Sequence, residues 1–343
     1  MKNKKLDWID FINGTKNTET RLITKKSLSW VKNKGRALDI GGGALNDSKF
    51  LLENGFTVDT VDSEDLSLDI SKTIRNKNFT MHPMRIENFE LGTNKYNLVL
   101  ANYVLPFITP KELKKLIFKI FKSLKDGGVF CGTFFGKNDH YKNNSEIYFN
   151  TKKSVFKNLG FYEKLSFSEI EKKCLNYNKK LECYHSFEFI VRKDNSKFRK
   201  GAAAVVLNEK NQVLLVNLES FDAKSFTVPG GGQDNDEELL HTAYRELKEE
   251  LNISKKDLTY VGECDTPLFF SFITPTIKKG IEYIGSEKYY FGFKFIGEDK
   301  SIIPNPGEVR LYEWVKINDL KDYLFFGSQL KDTLSMIKKI FNL

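Results

Sequence analysis

A single polar stretch, Arg192-Lys193-Asp194-Asn195-Ser196-Lys197, divides this chain into two regions of different patterning. It follows a strand-like alternation at Phe187, Phe189 and Val191, and it precedes an apolar run from Ala202 to Leu207. The 343 residues exceed one ordinary core and suit two domains of roughly 100–200 residues each. With 40% hydrophobic and 13% aromatic residues, there is enough apolar material for both. The expected division is 1–193 and 199–343, with 194–198 as the linker.

The first region alternates short apolar strands with helical segments. Ala37-Leu38-Asp39-Ile40 runs into Gly41-Gly42-Gly43, and Lys49 to Leu52 reads as a helix. Phe56 to Asp62 and Tyr96 to Leu100 read as strands. Leu113 to Leu124 has helical spacing and meets a stop at Asp126-Gly127-Gly128, before a strand from Val129 to Phe134. This order predicts an α/β, Rossmann-like, doubly wound and mostly parallel sheet covered on both faces.

The second region opens with two strands, Ala202–Leu207 and Gln212–Val216. A glycine-rich turn, Pro229 to Gly232, then leads into a helix from about Glu237 to Leu251, with Asp236 as the expected N-cap. Strands are expected near Thr259–Gly262, Lys288–Ile296 and Leu311–Val315, and a last helix from about Gly327 to Phe341. An α/β/α arrangement around a mixed sheet follows.

The helix after the glycine turn carries the strongest chemical signal. Leu240, Ala243, Leu247 and Leu251 recur at three- and four-residue spacing and share one narrow face, which must be buried. Glu246, Glu249 and Glu250 occupy the adjoining arc. Like charges at these spacings repel on a bare helix by a few tenths of a kcal/mol per pair, and a hard divalent cation such as Mg²⁺ or Mn²⁺ offsets that repulsion. The glycines let backbone N–H groups approach a phosphate. The bland alternative is a solvated acidic helix face.

The spacing Gly231-x5-Glu237-x7-Arg245-Glu246-Leu247-x-Glu249-Glu250-x-Asn252-Ile253 resembles the Nudix box, with Asn252 where the family has its last glycine. That resemblance implies metal ligation by Glu246, Glu249 and Glu250, with Arg245 orienting the carboxylates. It implies hydrolysis of a nucleoside-diphosphate linkage, with Glu250 or Glu308 as general base. Specificity is expected in the segment 265–288.

In the first region, Asp62 ends the strand that follows the glycine turn by about 21 residues, where an acid can accept hydrogen bonds from a ribose. The GxGxxG spacing of a dinucleotide site is absent. Asp39-Ile40-Gly41-Gly42-Gly43 is similar to the D-x-G-x-G of class I S-adenosylmethionine-dependent methyltransferases. The stretches 89–107, 127–130 and 134–139 are similar to the tellurite-resistance branch of that family. The resemblance implies that Asp39, Gly41 and Gly43 line the methionine side of S-adenosylmethionine, Asp62 the ribose, Ile86 and Glu87 the adenine, and that Ala101 lies near the sulfonium. No N/D-P-P-Y acceptor motif is present. The whole chain then reads as a bifunctional enzyme acting on nucleotide-type and other small molecules. The rivals are an RNA 5′-end (cap) modifying enzyme and a non-catalytic sensor.

Charge bears on the RNA rival. The net charge of +9 divides into +14 over residues 1–200 and −5 over 201–343. The lysines are scattered, so RNA is the lesser expectation. Cys131, Cys174, Cys183 and Cys264 form no CxxC pair and are expected as buried thiols. Trp8 and Phe11 are expected to pack over the first domain or to cover its cofactor. His185 is expected to be structural and His241 exposed. With no apolar run near the ~20 residues of a membrane span and no apolar leader in the first ten residues, MKNKKLDWID, a cytoplasmic protein is expected. No membrane or protein partner is implied.

Overall fold

Alternating apolar residues build both sheets, seen here in a computed structural model that describes residues 8–175, 180–235, 237–264, 267–326 and 328–343. The expected N-cap Asp236, the helix start at Gly327 and the first seven residues lie outside the described residues. The chain forms two compact units, Met1–Asn195 and Ser196–Leu343.

In the first unit, α1 (Trp8–Thr15) and α2 (Leu22–Ser27) precede β1 (Arg36–Ile40), α3 (Asn46–Glu53), β2 (Thr57–Asp62), α4 (Asp65–Ser71), β3 (Phe79–Pro83) and β4 (Tyr96–Ala101). They are followed by α5 (Pro110–Ser123), β5 (Leu124–Gly136), β6 (Phe149–Asn150), α6 (Lys152–Asn158), β7 (Tyr162–Leu175) and β8 (Leu181–Lys193). The strand order is β3-β2-β1-β4-β5-β8-β7, with β6 on β5. Pairing is parallel from β3 to β5 and antiparallel at β5–β8 and β7–β8. The order reverses between β1 and β4, and the glycine turn after β1 opens at that crevice, where α/β sheets bind ligands. Ala37, Val58, Leu98, Leu100 and Val129 pack into one core beneath Leu51 and Ile23. Helix α5 starts at the N-cap Thr109 and ends at Ser123. Asp126-Gly127-Gly128, expected to stop that helix, instead belongs to β5, with Gly127 at φ 70°.

The second unit comprises β9 (Phe198–Leu207), β10 (Gln212–Leu218), α7 (Leu239–Leu251), β11 (Leu258–Glu263), β12 (Leu268–Lys278), β13 (Ile281–Phe295), β14 (Val309–Lys316) and α8 (Gln329–Phe341). Its sheet runs β11-β13-β9-β10-β14, with β12 on β13. Most of the segment 265–288, expected as loops, is an antiparallel hairpin of β12 and β13. Period-2 alternation makes β9 the middle layer. Ala202, Ala204 and Val206 face Ala243, Leu247 and Leu251 of α7. Ala203, Val205 and Leu207 face Met336, Ile337 and Ile340 of α8. Helix α7 ends where Asn252 takes the left-handed conformation at φ 58°, the role a glycine usually fills.

All four cysteines are free; Cys131 and Cys264 are buried, whereas Cys174 and Cys183 near the end of the β7–β8 hairpin are only half-buried. A side chain there alternates toward solvent, which the sequence-based expectation of four buried thiols overlooks. Among the described residues, no helix is long and apolar enough to cross a membrane. Leu247 is fully buried between α7 and β9. Leu247→Ala is therefore expected to destabilise the C-terminal unit by about 2–5 kcal/mol, read from urea unfolding followed at Trp314; a shift under about 1 kcal/mol contradicts this packing.

Candidate active sites

Close backbone packing shapes the site of the C-terminal unit. The turn Pro229–Gly232 lies directly against β9, with Ala204 N–H donating to Pro229 O (2.9 Å) and Ala202 N–H to Gly231 O (3.0 Å). A Cβ on Gly230 would meet Ala203 Cα at 2.7 Å, and one on Gly231 would run into the Glu246 carboxylate. Only glycine lets this turn lie between β9 and the acids of α7.

Those acids differ in depth. Glu250 is 6% exposed, and its Oε2 accepts the Gly230 N–H at 3.0 Å. The Glu246 side chain is 14% exposed, and that of Glu249 is 52% exposed at the rim. Burial, then the neighbouring Glu246 charge, pushes the Glu250 carboxyl up to about 8. Burial also raises Glu246, against the lowering effect of Arg245. Arg245 gathers the set: Nη1 donates to Glu246 Oε1 (2.9 Å) and Glu249 Oε2 (2.7 Å). Its Nη2 donates to Glu237 Oε1 (2.8 Å) and Gly232 O (3.0 Å). Glu237, whose carboxyl is lowered by the hydrogen bond from that guanidinium, also accepts from Thr242 Oγ1 (3.1 Å).

Glu308 lies on the turn before β14, accepts from Asn305 Nδ2 (3.2 Å), and adds its charge to the field at Glu250. Lys288 of β13, which the sequence marks only as the start of a strand, also faces Glu250 and Glu246, and desolvation lowers its pKa. Its strand carries no motif, so only the fold brings it here. Among the described residues, no three His, Cys, Asp or Glu groups stand close enough together to hold a metal ion as they are placed. The donor chemistry nevertheless fits a hard cation: the buried Glu250 and the half-buried Glu246 stand near one another, both raised by desolvation, with Glu249 at the rim.

In the N-terminal unit, a cavity of about 220 Å³ opens at the crevice between β1 and β4. Gly41, Gly43, Asp62, Ile86, Glu87 and Asn102 are on its wall. Gly41 and Gly43 have φ of 70° and 53°. A Cβ on Gly41 would meet Val104 at 2.9 Å, whereas Gly43 has nothing nearer than Ile12 at 4.0 Å and leaves its backbone bare. Asp62 accepts from Gly43 N–H (2.8 Å) and Glu64 N–H (2.9 Å), which fixes the carboxylate and leaves a lone pair on each oxygen. Glu87 pairs with Arg85 at 3.3 Å.

Two residues assigned to the cofactor by sequence, Asp39 and Ala101, lie behind this wall. Asp39 is 2% exposed and accepts from Ser48 Oγ at 2.6 Å; burial, then the Asp47 charge, raises its carboxyl. Ala101 is fully buried at the end of β4, and the next residues, Asn102 and Tyr103, line the cavity instead. Arg21, which sequence alone does not single out, also lines it, paired with Asp47 at 2.7 Å.

A second cavity of about 240 Å³ shares Trp8, Phe11, Arg21, Tyr103 and Phe107 with the first. Trp8 meets Phe107 edge-on at 4.9 Å. Outside both cavities, His185 bridges Asn138 N–H (3.1 Å) and Glu169 (3.2 Å), and His241 is exposed.

The NUDIX domain family model matches residues 197–333, and that of the tellurite resistance protein TehB matches residues 10–171. The RNA pyrophosphohydrolase of Pelagibacter ubique is 31% identical over 158 residues, covering 44% of this chain and 98% of that protein. The chain belongs to the Nudix family through its C-terminal unit, joined to a TehB-type, S-adenosylmethionine-dependent methyltransferase domain. The RNA pyrophosphohydrolase of Bartonella tribocorum is 28% identical over 138 residues, 36% of this chain and 79% of that one. Among solved structures, TehB from Haemophilus influenzae has a TM-score of 0.45 at 14% identity, covering 55% of this chain and 68% of that one. The 1,6-didemethyltoxoflavin-N1-methyltransferase of Burkholderia thailandensis has a TM-score of 0.45 at 16% identity, with coverage of 54% and 86%.

In the Nudix unit, lysine has no planar fork to reproduce the contacts of Arg245. Arg245→Lys is expected to lower the stability of this unit by about 1–3 kcal/mol. Urea unfolding at Trp314 checks it, and an unchanged midpoint would show the contacts to be energetically idle.

Proposed function

We propose that the Nudix unit hydrolyses a diphosphate linkage in a nucleotide-like substrate, and that the N-terminal unit transfers a methyl group from S-adenosylmethionine to a small molecule. The observation that carries the first half is the pair of carboxylates beneath the glycine turn, Glu250 buried and Glu246 half-buried. Glu246, Glu249 and Glu250 are the residues to hold Mg²⁺ or Mn²⁺, which when bound polarises the diphosphate and acidifies water. Arg245 keeps the three carboxylates oriented. The proton of the attacking water goes to Glu250 or Glu308, whose charge acts on Glu250. Lys288 supplies a cationic group beside the phosphates.

In the N-terminal unit, the bare backbone at Gly43 gives the methionine part of the cofactor close approach. Asp62 holds the ribose hydroxyls, and Ile86 covers the adenine. These residues align the cofactor, which is the main requirement of methyl transfer.

A second reading, RNA 5′ ends as the Nudix substrate, is favoured by the name of the relative that this chain covers almost fully. It predicts affinity that falls steeply with salt. The net charge of −5 over residues 201–343 favours free nucleotides instead. Turnover of 5′-triphosphate RNA against dinucleoside polyphosphates, nucleotide sugars and ADP-ribose across a salt series separates the two.

Glu249→Gln and Glu250→Gln are each expected to lower Mg²⁺-dependent turnover by about 10²–10⁴-fold, with circular dichroism unchanged; full activity in both overturns the metal assignment. The Glu250 carboxyl is raised in the folded state, so its contribution to stability is complete below its ordinary 4.5 and is lost as pH rises through about 8. Millimolar Mg²⁺ is therefore expected to raise the unfolding temperature more at the alkaline end of that window than at the acid end. Glu250→Gln weakens that pH trend, because Glu246 is also raised, and a pH-independent Mg²⁺ shift in the unsubstituted protein contradicts it. In the other unit, Asp62→Ala is expected to weaken S-adenosylhomocysteine binding about tenfold by titration calorimetry, and equal affinities would remove Asp62 from the site.

A further inference from the structure

The second cavity of the N-terminal unit has no assigned occupant. It adjoins the cofactor crevice through a shared wall of Trp8, Phe11, Tyr103 and Phe107, so an occupant lies beside a cofactor bound there. Its far side adds Phe135, Tyr141 and Tyr184. The rings are fixed against one another: Phe135 stacks on Tyr141 at 6.0 Å and meets Phe107 edge-on at 6.0 Å. Such walls favour a flat apolar body.

The polar groups around this space narrow the chemistry. Its one guanidinium and its one side-chain amide are both engaged within the protein. Arg21 is engaged by Asp47 at 2.7 Å, with its guanidinium over Tyr103 at 5.5 Å. Asn46 Nδ2 donates to Thr15 O (2.8 Å) and Thr18 Oγ1 (3.2 Å). The charged acceptors on the wall are Glu19 and Glu182. The Glu182 side chain, 15% exposed, is shared with His140 Nε2 at 3.1 Å. A small oxyanion is best held by uncompensated cations, and this cavity offers ring faces, hydroxyls, two carboxylates and a single guanidinium already paired with Asp47.

Resting on the methyltransferase reading, we propose that the methyl acceptor is an uncharged, planar aromatic nitrogen base, seated in this cavity, and that a tellurite-like oxyanion is not the substrate. The nitrogen lone pair forms the new N–CH₃ bond while the S–CH₃ bond breaks, its electron pair staying on sulfur. Positive charge thereby moves from sulfur to nitrogen. Any N–H proton of the product passes to bulk water. The ring faces of Trp8 and Tyr141 and the Glu182 carboxylate stabilise the charge as it develops.

The test uses the full chain, radiolabelled S-adenosylmethionine, and nicotinamide, quinoline and tellurite as probes, with S-adenosylhomocysteine calorimetry run beside it. The proposal expects label in an aromatic base, none in tellurite, and an acceptor KM raised about tenfold in Tyr184→Ala with S-adenosylhomocysteine affinity unchanged. S-adenosylhomocysteine binding with label in tellurite, or with neither base bound or methylated, overturns the acceptor class and leaves the cofactor reading standing. An absence of S-adenosylhomocysteine binding overturns both.

Discussion

Glycine backbone packed between a strand and a row of acids governs the C-terminal unit. The turn 229–232 accepts from Ala202 and Ala204 N–H of β9 on one side and meets Glu246 and Glu250 on the other. Ala202 and Ala204 on β9 are small, so α7 lies close above the sheet. Leu247 and Leu251 anchor that helix in the core and so fix the depth of the carboxylates one turn apart on its adjoining face. Desolvation follows, and with it the raised Glu250 carboxyl. An acidic helix face in water would show none of this. Arg245 balances the arrangement from the side by joining Glu237, Glu246 and Glu249.

The N-terminal unit uses backbone exposure differently. Its glycine turn lies at the point where strand order reverses, and Asp62 holds the turn through the Gly43 N–H. The bound cofactor would therefore meet a carboxylate already oriented by two backbone donors. Asp39, one strand over, stabilises the start of α3 through Ser48 and does not reach the cavity. Two acids at neighbouring strand ends thus have different surroundings, Asp62 on the cavity wall and Asp39 buried against Ser48.

The features legible in the sequence are those that local rules dictate. The narrow apolar face of α7, the glycine turns and the left-handed Asn252 all follow from periodicity or backbone sterics. Asp62 was legible through its position at a strand end. What escaped was set by tertiary placement. Lys288 reaches the acids only because β13 pairs with β9, ten residues in register. Arg21 reaches the cavity only because α2 folds back to Asp47. Ala101 is buried at the end of β4, and the chain leaves the sheet at Asn102 and turns through Tyr103 at φ 59°, so these two residues line the cavity. The segment after Cys264 offered no turn signal at its centre other than Lys279-Gly280, and it forms a hairpin around those residues.

The central claim is that the acids of α7 exist to hold a cation against a substrate's phosphates. Anomalous diffraction at the manganese edge, from crystals soaked in Mn²⁺, tests it most directly. The account predicts a peak within ligand distance of Glu246, Glu249 and Glu250, beside the glycine turn. A peak elsewhere in the C-terminal unit, or none in it under conditions that support turnover, would contradict it.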